Sequence, residues 1–133
     1  MTVAPATSLS METLTAKLAE IKARKGAPPW GEALFISDEM QVYIVCQAPG
    51  QPNDTHYHEH DELWVIMEGE LSWQYAFNTT PHIVRAGDFV WGPKGQWHHI
   101  EVLGDQTSIR VAIGARGEYH RYDRPGCHPV SKA

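Results

Sequence analysis

The chain has 133 residues, 42% hydrophobic and 20% charged, which is the usage of one ordinary globular domain and excludes a disordered polymer. Its net charge is −5, and its eleven Lys and Arg are scattered rather than gathered into a stripe, so a nucleic-acid backbone is not an expected partner. No segment approaches the roughly 18 to 20 apolar residues that cross a bilayer; no basic-then-apolar leader opens the chain, and Cys46 and Cys127 lack the close spacing of a zinc or redox motif, so a soluble cytoplasmic protein with free thiols and no membrane partner is expected.

Residues 1–8 are small and polar and read as a loose end. From Ser10 the apolar residues Met11, Leu14, Leu18 and Ile21 recur at helical spacing. Ser10 can cap the start, Glu12 lies in the first turn, and Lys22, Arg24 and Lys25 precede Gly26. One amphipathic helix is predicted, which must bury its stripe against its own domain or a second subunit. Ala27-Pro28-Pro29-Trp30-Gly31 ends it, because proline lacks an N–H and the residue before it avoids helical angles.

Beyond the linker the period falls to two. Runs rich in β-branched and aromatic residues cover 33–36, 41–45, 62–67, 71–76, 82–84, 88–91, 98–102 and 108–113, each closed by Gly, Pro, Asn or Asp. Gly69 and Gly87 fall where hairpins should turn. This predicts an all-β sandwich or barrel over 31–116, preceded by a helix and linker over 1–30. The tail over 117–133 lacks periodicity and is expected to pack as a loop over the sheet.

The chemistry is concentrated in the histidines. Of eight, three fall at 56, 58 and 60 and two at 98 and 99. On an extended strand His56 and His58 point the same way and can present two imidazoles to one point. Glu62 shares a strand face with Trp64 and Ile66, and a carboxylate directed into such an interior needs a partner, which a cation would supply. His60 lies in the Glu59-His60-Asp61 turn and His99 has the opposite parity to His98; both are expected to face away from the site, with a supporting hydrogen bond as their remaining role.

Reading outward gives Gly50-x5-His56-x-His58-x3-Glu62-x6-Gly69, then Gly87-x5-Pro93-x-Gly95-x2-His98. These two blocks resemble the paired motifs of the cupin superfamily, departing in one place: Val102 stands where many members carry Asn. The resemblance implies a double-stranded β-helix, a small jelly-roll barrel whose two motif hairpins face each other across the mouth. It also implies that His56, His58, Glu62 and His98 bind one divalent transition metal.

Three imidazoles and a carboxylate suit iron foremost, with manganese, nickel, copper or zinc also compatible, and the lack of thiolates argues against a purely structural zinc. In an octahedral arrangement four protein ligands leave two positions for a substrate, or for a substrate beside dioxygen. A dioxygenase-type oxidation or ring or C–C cleavage of a small organic molecule is therefore the leading expectation. A Lewis-acid lyase or isomerase, or a non-catalytic ligand-binding cupin, is the alternative. The pocket wall is expected from Trp64, Ile66, Ile100 and Val102, with Trp91 or its neighbours, Tyr43 and Trp73 as further candidates. Among Arg110, Arg85 and Arg116, Arg110 is the best placed to meet a substrate anion, since it sits inside a strand between Ile109 and Val111. Exposed sheet edges and the amphipathic helix suggest a homodimer in which the segment before residue 45 joins the interface.

Overall fold

The computed structural model describes residues 9–78 and 80–130, so the loose end expected over 1–8 lies outside the described residues. Among the described residues two short helices, α1 (Met11–Leu14) and α2 (Leu18–Lys25), precede nine strands: β1 (Trp30–Ile36), β2 (Met40–Gln47), β3 (Thr55–His56), β4 (Glu62–Glu68), β5 (Glu70–Tyr75), β6 (His82–Arg85), β7 (Phe89–Gly92), β8 (His98–Leu103) and β9 (Ser108–Ala115). All strand pairings are antiparallel, in a five-stranded sheet of order β1-β2-β9-β4-β7 and a four-stranded sheet of order β3-β8-β5-β6. This is the double-stranded β-helix that the motif blocks imply.

The single helix predicted from Ser10 to Lys25 is instead two. Ser10 and Thr13 form a reciprocal capping box, as expected of a helix start, but Thr15 is extended (φ −129°, ψ 157°) and its hydroxyl is turned back onto the Met11 carbonyl. A β-branched residue whose hydroxyl competes for the backbone is a poor continuation of a helix. As a result only Ile21 is buried from the apolar stripe. Leu18 packs against a small cluster of Ile44, Cys46 and Ile109, while Met11 and Leu14 stay exposed.

The strands bury alternate residues, and the main core lies between the two sheets: Trp64, Ile66, Leu71, Trp73, Val84, Ile100 and Val102. Two inward-facing ladders run from the barrel mouth to its floor. Along β4 these are Glu62, Trp64 and Ile66; along β8 they are His98, Ile100 and Val102. The motif glycine Gly69 takes up φ +86° at the β4–β5 turn, and a Cβ there would sit 2.8 Å from the Ser108 Cα, so the tight turn and the neighbouring backbone both require glycine.

A candidate metal centre at the barrel mouth

His56 leaves β3 and His98 opens β8, paired in register, so the two chain segments hold the imidazoles side by side with ring centroids 4.3 Å apart. His58 lies two residues past the end of β3, and Glu62 opens β4 after the turn. The Nε2 atoms of His56 and His58 are 3.0 Å apart, and the His58 Nε2 lies 3.4 Å from a Glu62 oxygen. The His98 Nε2 is buried with no hydrogen-bond partner. The structure thus brings together all four side chains that the motifs single out, and one donor atom each from His58, Glu62 and His98 lies within 4.8 Å of the other two.

The far sides of two rings fix their tautomers. Asp54 Oδ1 lies 2.7 Å from the His56 Nδ1, and the Tyr119 carbonyl lies 3.1 Å from the His58 Nδ1. With Nδ1 donating in each case, both Nε2 atoms present lone pairs toward one another. Two lone pairs at hydrogen-bond distance repel unless a proton or a cation lies between them. Burial disfavours the proton: it lowers the pKa of His56, holds His58 down at about 4 with help from neighbouring His56 and His120, and pushes His98 well below its ordinary value. The donor set, its burial and the orphaned His98 nitrogen fit a divalent transition metal ion.

Burial also pushes the Glu62 carboxyl up to about 7. An arriving cation must therefore displace a proton from Glu62 below neutrality but not above it, while His58 is neutral throughout. Metal affinity should be about tenfold weaker at pH 6 than at pH 8, with close to one proton released at the lower pH. Titration calorimetry in buffers of different ionisation heat measures this directly; equal affinities and no released proton would sink the assignment of Glu62.

The tail supplies what the sequence pattern missed. Isolated β-bridges Thr55↔His128 and Tyr57↔Arg121 stitch it to both sides of His56. His120 then stacks flat on the His56 ring at 3.5 Å, and its Nδ1 meets Asp54 Oδ2 at 2.5 Å; the Tyr122 hydroxyl donates to the same oxygen at 2.6 Å. Burial opposes ionisation of Asp54, but these hydrogen bonds from His120, His56 and Tyr122 outweigh it and hold the carboxyl well below the usual range. Glu118, almost fully covered, bonds His60 and the Glu59 N–H and lies 3.6 Å from the His58 Nδ1. The available signals were Asp54, two residues before His56 on the same face, and the polar aromatic run Glu118-Tyr119-His120-Arg121-Tyr122 in a segment with no strand period.

Asp54→Asn keeps the shape of the side chain but weakens its grip on both imidazoles. Because such outer partners orient a ligand and raise its basicity, metal affinity should fall about 10- to 100-fold while the fold is kept. Equilibrium dialysis against a competing chelator reads the change, and an unaltered affinity would remove Asp54 from the site.

His60 and His99 face away. His60 is an exposed partner of Glu118, and His99 hydrogen-bonds Thr55, the Asp54 carbonyl and Glu101. The cavity beside the cluster, about 540 Å³, is walled by Tyr43, Trp64, Ile100 and Arg110 among others. Ile66 and Val102, expected in that wall, lie instead in the core. Their parity is right, but each is the last rung of its ladder and packs at the barrel floor. Trp73 is core as well, and Trp91 points outward, 62% exposed, in register with Leu63. Arg85 and Arg116 pair with Glu70 and Asp38 at the surface.

The fold and site define a small jelly-roll barrel with a three-histidine, one-carboxylate cluster at its mouth that can hold a metal ion. The family model described as "Cupin domain" matches residues 43–114, and the chain belongs to that family. No curated protein matches it in sequence. Among solved structures it is similar to an RmlC-like cupin family protein with a double-stranded β-helix fold from Methanocaldococcus jannaschii, with a TM-score of 0.63 at 18% identity over 69% of this chain and 84% of that one. A putative sugar phosphate isomerase from Acidithiobacillus ferrooxidans gives 0.63 at 20% identity over 80% and 78%. The DMSP lyase DddQ from Ruegeria pomeroyi gives 0.58 at 21% over 77% and 50%. At these identities the likeness is one of fold.

Among the described residues no helix is long and apolar enough to cross a membrane.

Proposed function

We propose that this cupin is a metal-dependent enzyme acting on a small organic molecule, with His56, His58, Glu62 and His98 as the ligands of one divalent transition metal, iron foremost. The observation that carries this reading is the opposed pair of Nε2 lone pairs, 3.0 Å apart, in rings whose other nitrogens are engaged. A bound ion of this kind supplies Lewis acidity and, if it is iron, the capacity for dioxygenase-type oxidation or ring or C–C cleavage. The chain's part is to orient and to exclude water. Trp64, Ile100 and Ala112 line the cavity beside the cluster and favour a flat or partly apolar molecule.

A second reading, a lyase or isomerase, is favoured by one specific observation. The Asp54–His120 pair fixes one nitrogen of an imidazole that lines the cavity, the arrangement of an oriented general base. The similarity in fold to the DMSP lyase DddQ and to the putative sugar phosphate isomerase is compatible with it.

The deciding experiment is elemental analysis of protein purified without chelator or histidine tag, then oxygen uptake by the anaerobic iron-loaded form with catechols, hydroxyanthranilates and diketones. About one equivalent of iron with substrate-dependent uptake supports the oxygenase. Zinc or manganese with no uptake transfers the assignment to the lyase or isomerase, or to a non-catalytic ligand-binding cupin.

We also propose a homodimer. Leu9, Met11 and Leu14 are exposed apolar side chains, Met11 beside residues 32–34 of the open edge strand β1, and a dimer would cover them. Light scattering across a dilution series should give twice the chain mass; a monomer at every concentration would end this idea.

A further inference from the structure

Arg110 is the one cation in the wall of the mouth cavity, among the described residues. It lies on β9 in register with Val45 and Ile66 and is only 6% exposed. Burial lowers its pKa to about 10, so it remains charged at neutral pH. Its hydrogen bonding is sparse for so buried a group: Nη1 donates to Gln47 Oε1 at 2.8 Å, and the guanidinium forms no ion pair among the described residues.

The carboxylates that act on it from further away, Glu62 and Asp54, are engaged elsewhere. Asp54 is held by His56, His120 and Tyr122, and Glu62 belongs to the histidine cluster. Gln47 is itself fixed by a two-way amide pair with Asn53, whose Nδ2 also donates to the Ile100 carbonyl. A rigid polar base thus holds one end of a planar fork whose remaining donors have no partner among the described residues, on the wall of a cavity that also presents Tyr43, Val45, Trp64, Ile100 and Ala112. A buried charge left in this condition is costly unless a counter-ion completes it, and the fork geometry matches a carboxylate by two parallel hydrogen bonds.

We propose that Arg110, positioned by Gln47 and Asn53, is a carboxylate-binding subsite, and that the molecule taken by this cavity is a small organic carboxylate with a flat apolar body. The subsite stands on these contacts alone. That the other end of the same molecule reaches the metal rests on the functional reading above. A single guanidinium offers one charge, which matches a monoanionic carboxylate better than a phosphate. The apolar flank of the ligand would lie along Tyr43, Val45 and Trp64, which line the same cavity.

The test uses the full chain with metal stripped by chelator, and benzoate and its neutral isostere benzamide as probes, with binding followed by NMR shift titration. Benzoate is expected to bind wild-type protein at least tenfold more tightly than benzamide. Arg110→Met should abolish that preference, and Arg110→Lys, which keeps the charge but not the fork, should keep part of it. Equal binding of the two probes to wild type would overturn the proposal, and so would an undiminished preference in a folded Arg110→Met protein or tighter binding of inorganic phosphate than of benzoate. If Arg110→Met fails to fold, the probe comparison and Arg110→Lys still decide. A benzoate preference in a protein that takes up no metal would uphold the subsite while ending the metal reading.

Discussion

His58→Ala should lose most of its bound metal. The side chain supplies a donor atom to both groupings in which the cluster's ligating atoms converge, one with Glu62 and His98 and one with His56 and His120, so no other single ring is as central. Losing an outer partner of a ligand costs about 10- to 100-fold in affinity, and losing the ligand itself should cost at least the upper end of that range. The metal-free fold should be spared. Its backbone carbonyl still accepts the Gly95 N–H at 2.7 Å, and the opposition between the His56 and His58 nitrogens is relieved. The expected signature is a thermal midpoint that rises with added metal in the wild type and barely moves in the variant. A 100-fold weaker site forfeits about 2.7 kcal/mol of linked stabilisation at saturating metal. A variant that kept full stoichiometry and full stabilisation would contradict the assigned centre.

Trp73→Ala should have the largest effect on stability. The side chain is 1% exposed at the middle of the core, and its ring meets Trp64 edge to face at 4.8 Å; Trp64 in turn meets the His98 ring at 4.7 Å. Truncating a buried Trp costs about 3–5 kcal/mol, a large share of the roughly 5–15 kcal/mol that holds a domain folded. Because Trp64 is the layer between this cavity and a ligand, His98 should lose its support and metal affinity should fall as well. Trp73→Phe is the informative companion. The Trp73 Nε1 is buried without a partner, so phenylalanine removes an unsatisfied donor while its ring keeps part of the buried area, and the cost should be well below that of alanine. Urea unfolding of both variants checks this, and a loss below about 1 kcal/mol for Trp73→Ala would show that this ring does not anchor the core.

The sequence made the barrel legible because each side of a strand has its own solvent. Alternation in Leu71-Ser72-Trp73-Gln74-Tyr75 becomes alternating burial in β5, and the motif spacings place His56, His58, Glu62 and His98 at one mouth. Parity, however, tells only which face a residue takes and not how deep it lies. That is why Ile66 and Val102 were expected in the cavity wall and lie at the floor instead, while Arg110, of the same inward set, does line the cavity. The helix was misjudged for a local reason, the Thr15 hydroxyl ending α1 one turn after its cap. The contributions of Glu118, His120 and Tyr122 were illegible because they depend on two isolated bridges between segments more than sixty residues apart in sequence, and no local period marks such a contact.

Those same two bridges make the cover of the site a contribution of the tail and not of the barrel. Thr55 and His128 are separated by 73 positions, and Tyr57 and Arg121 join the same two segments on the other side of His56. The barrel's own long-range pairing, β2 with β9, spans as far, from Met40 to Ala115, and uses none of these residues. His56, Glu62 and His98 thus stand on barrel strands, while His120 and Tyr122, which hold Asp54, come from a separate length of chain. The hydrogen bonding around the imidazoles can therefore be altered without altering the strands that carry them.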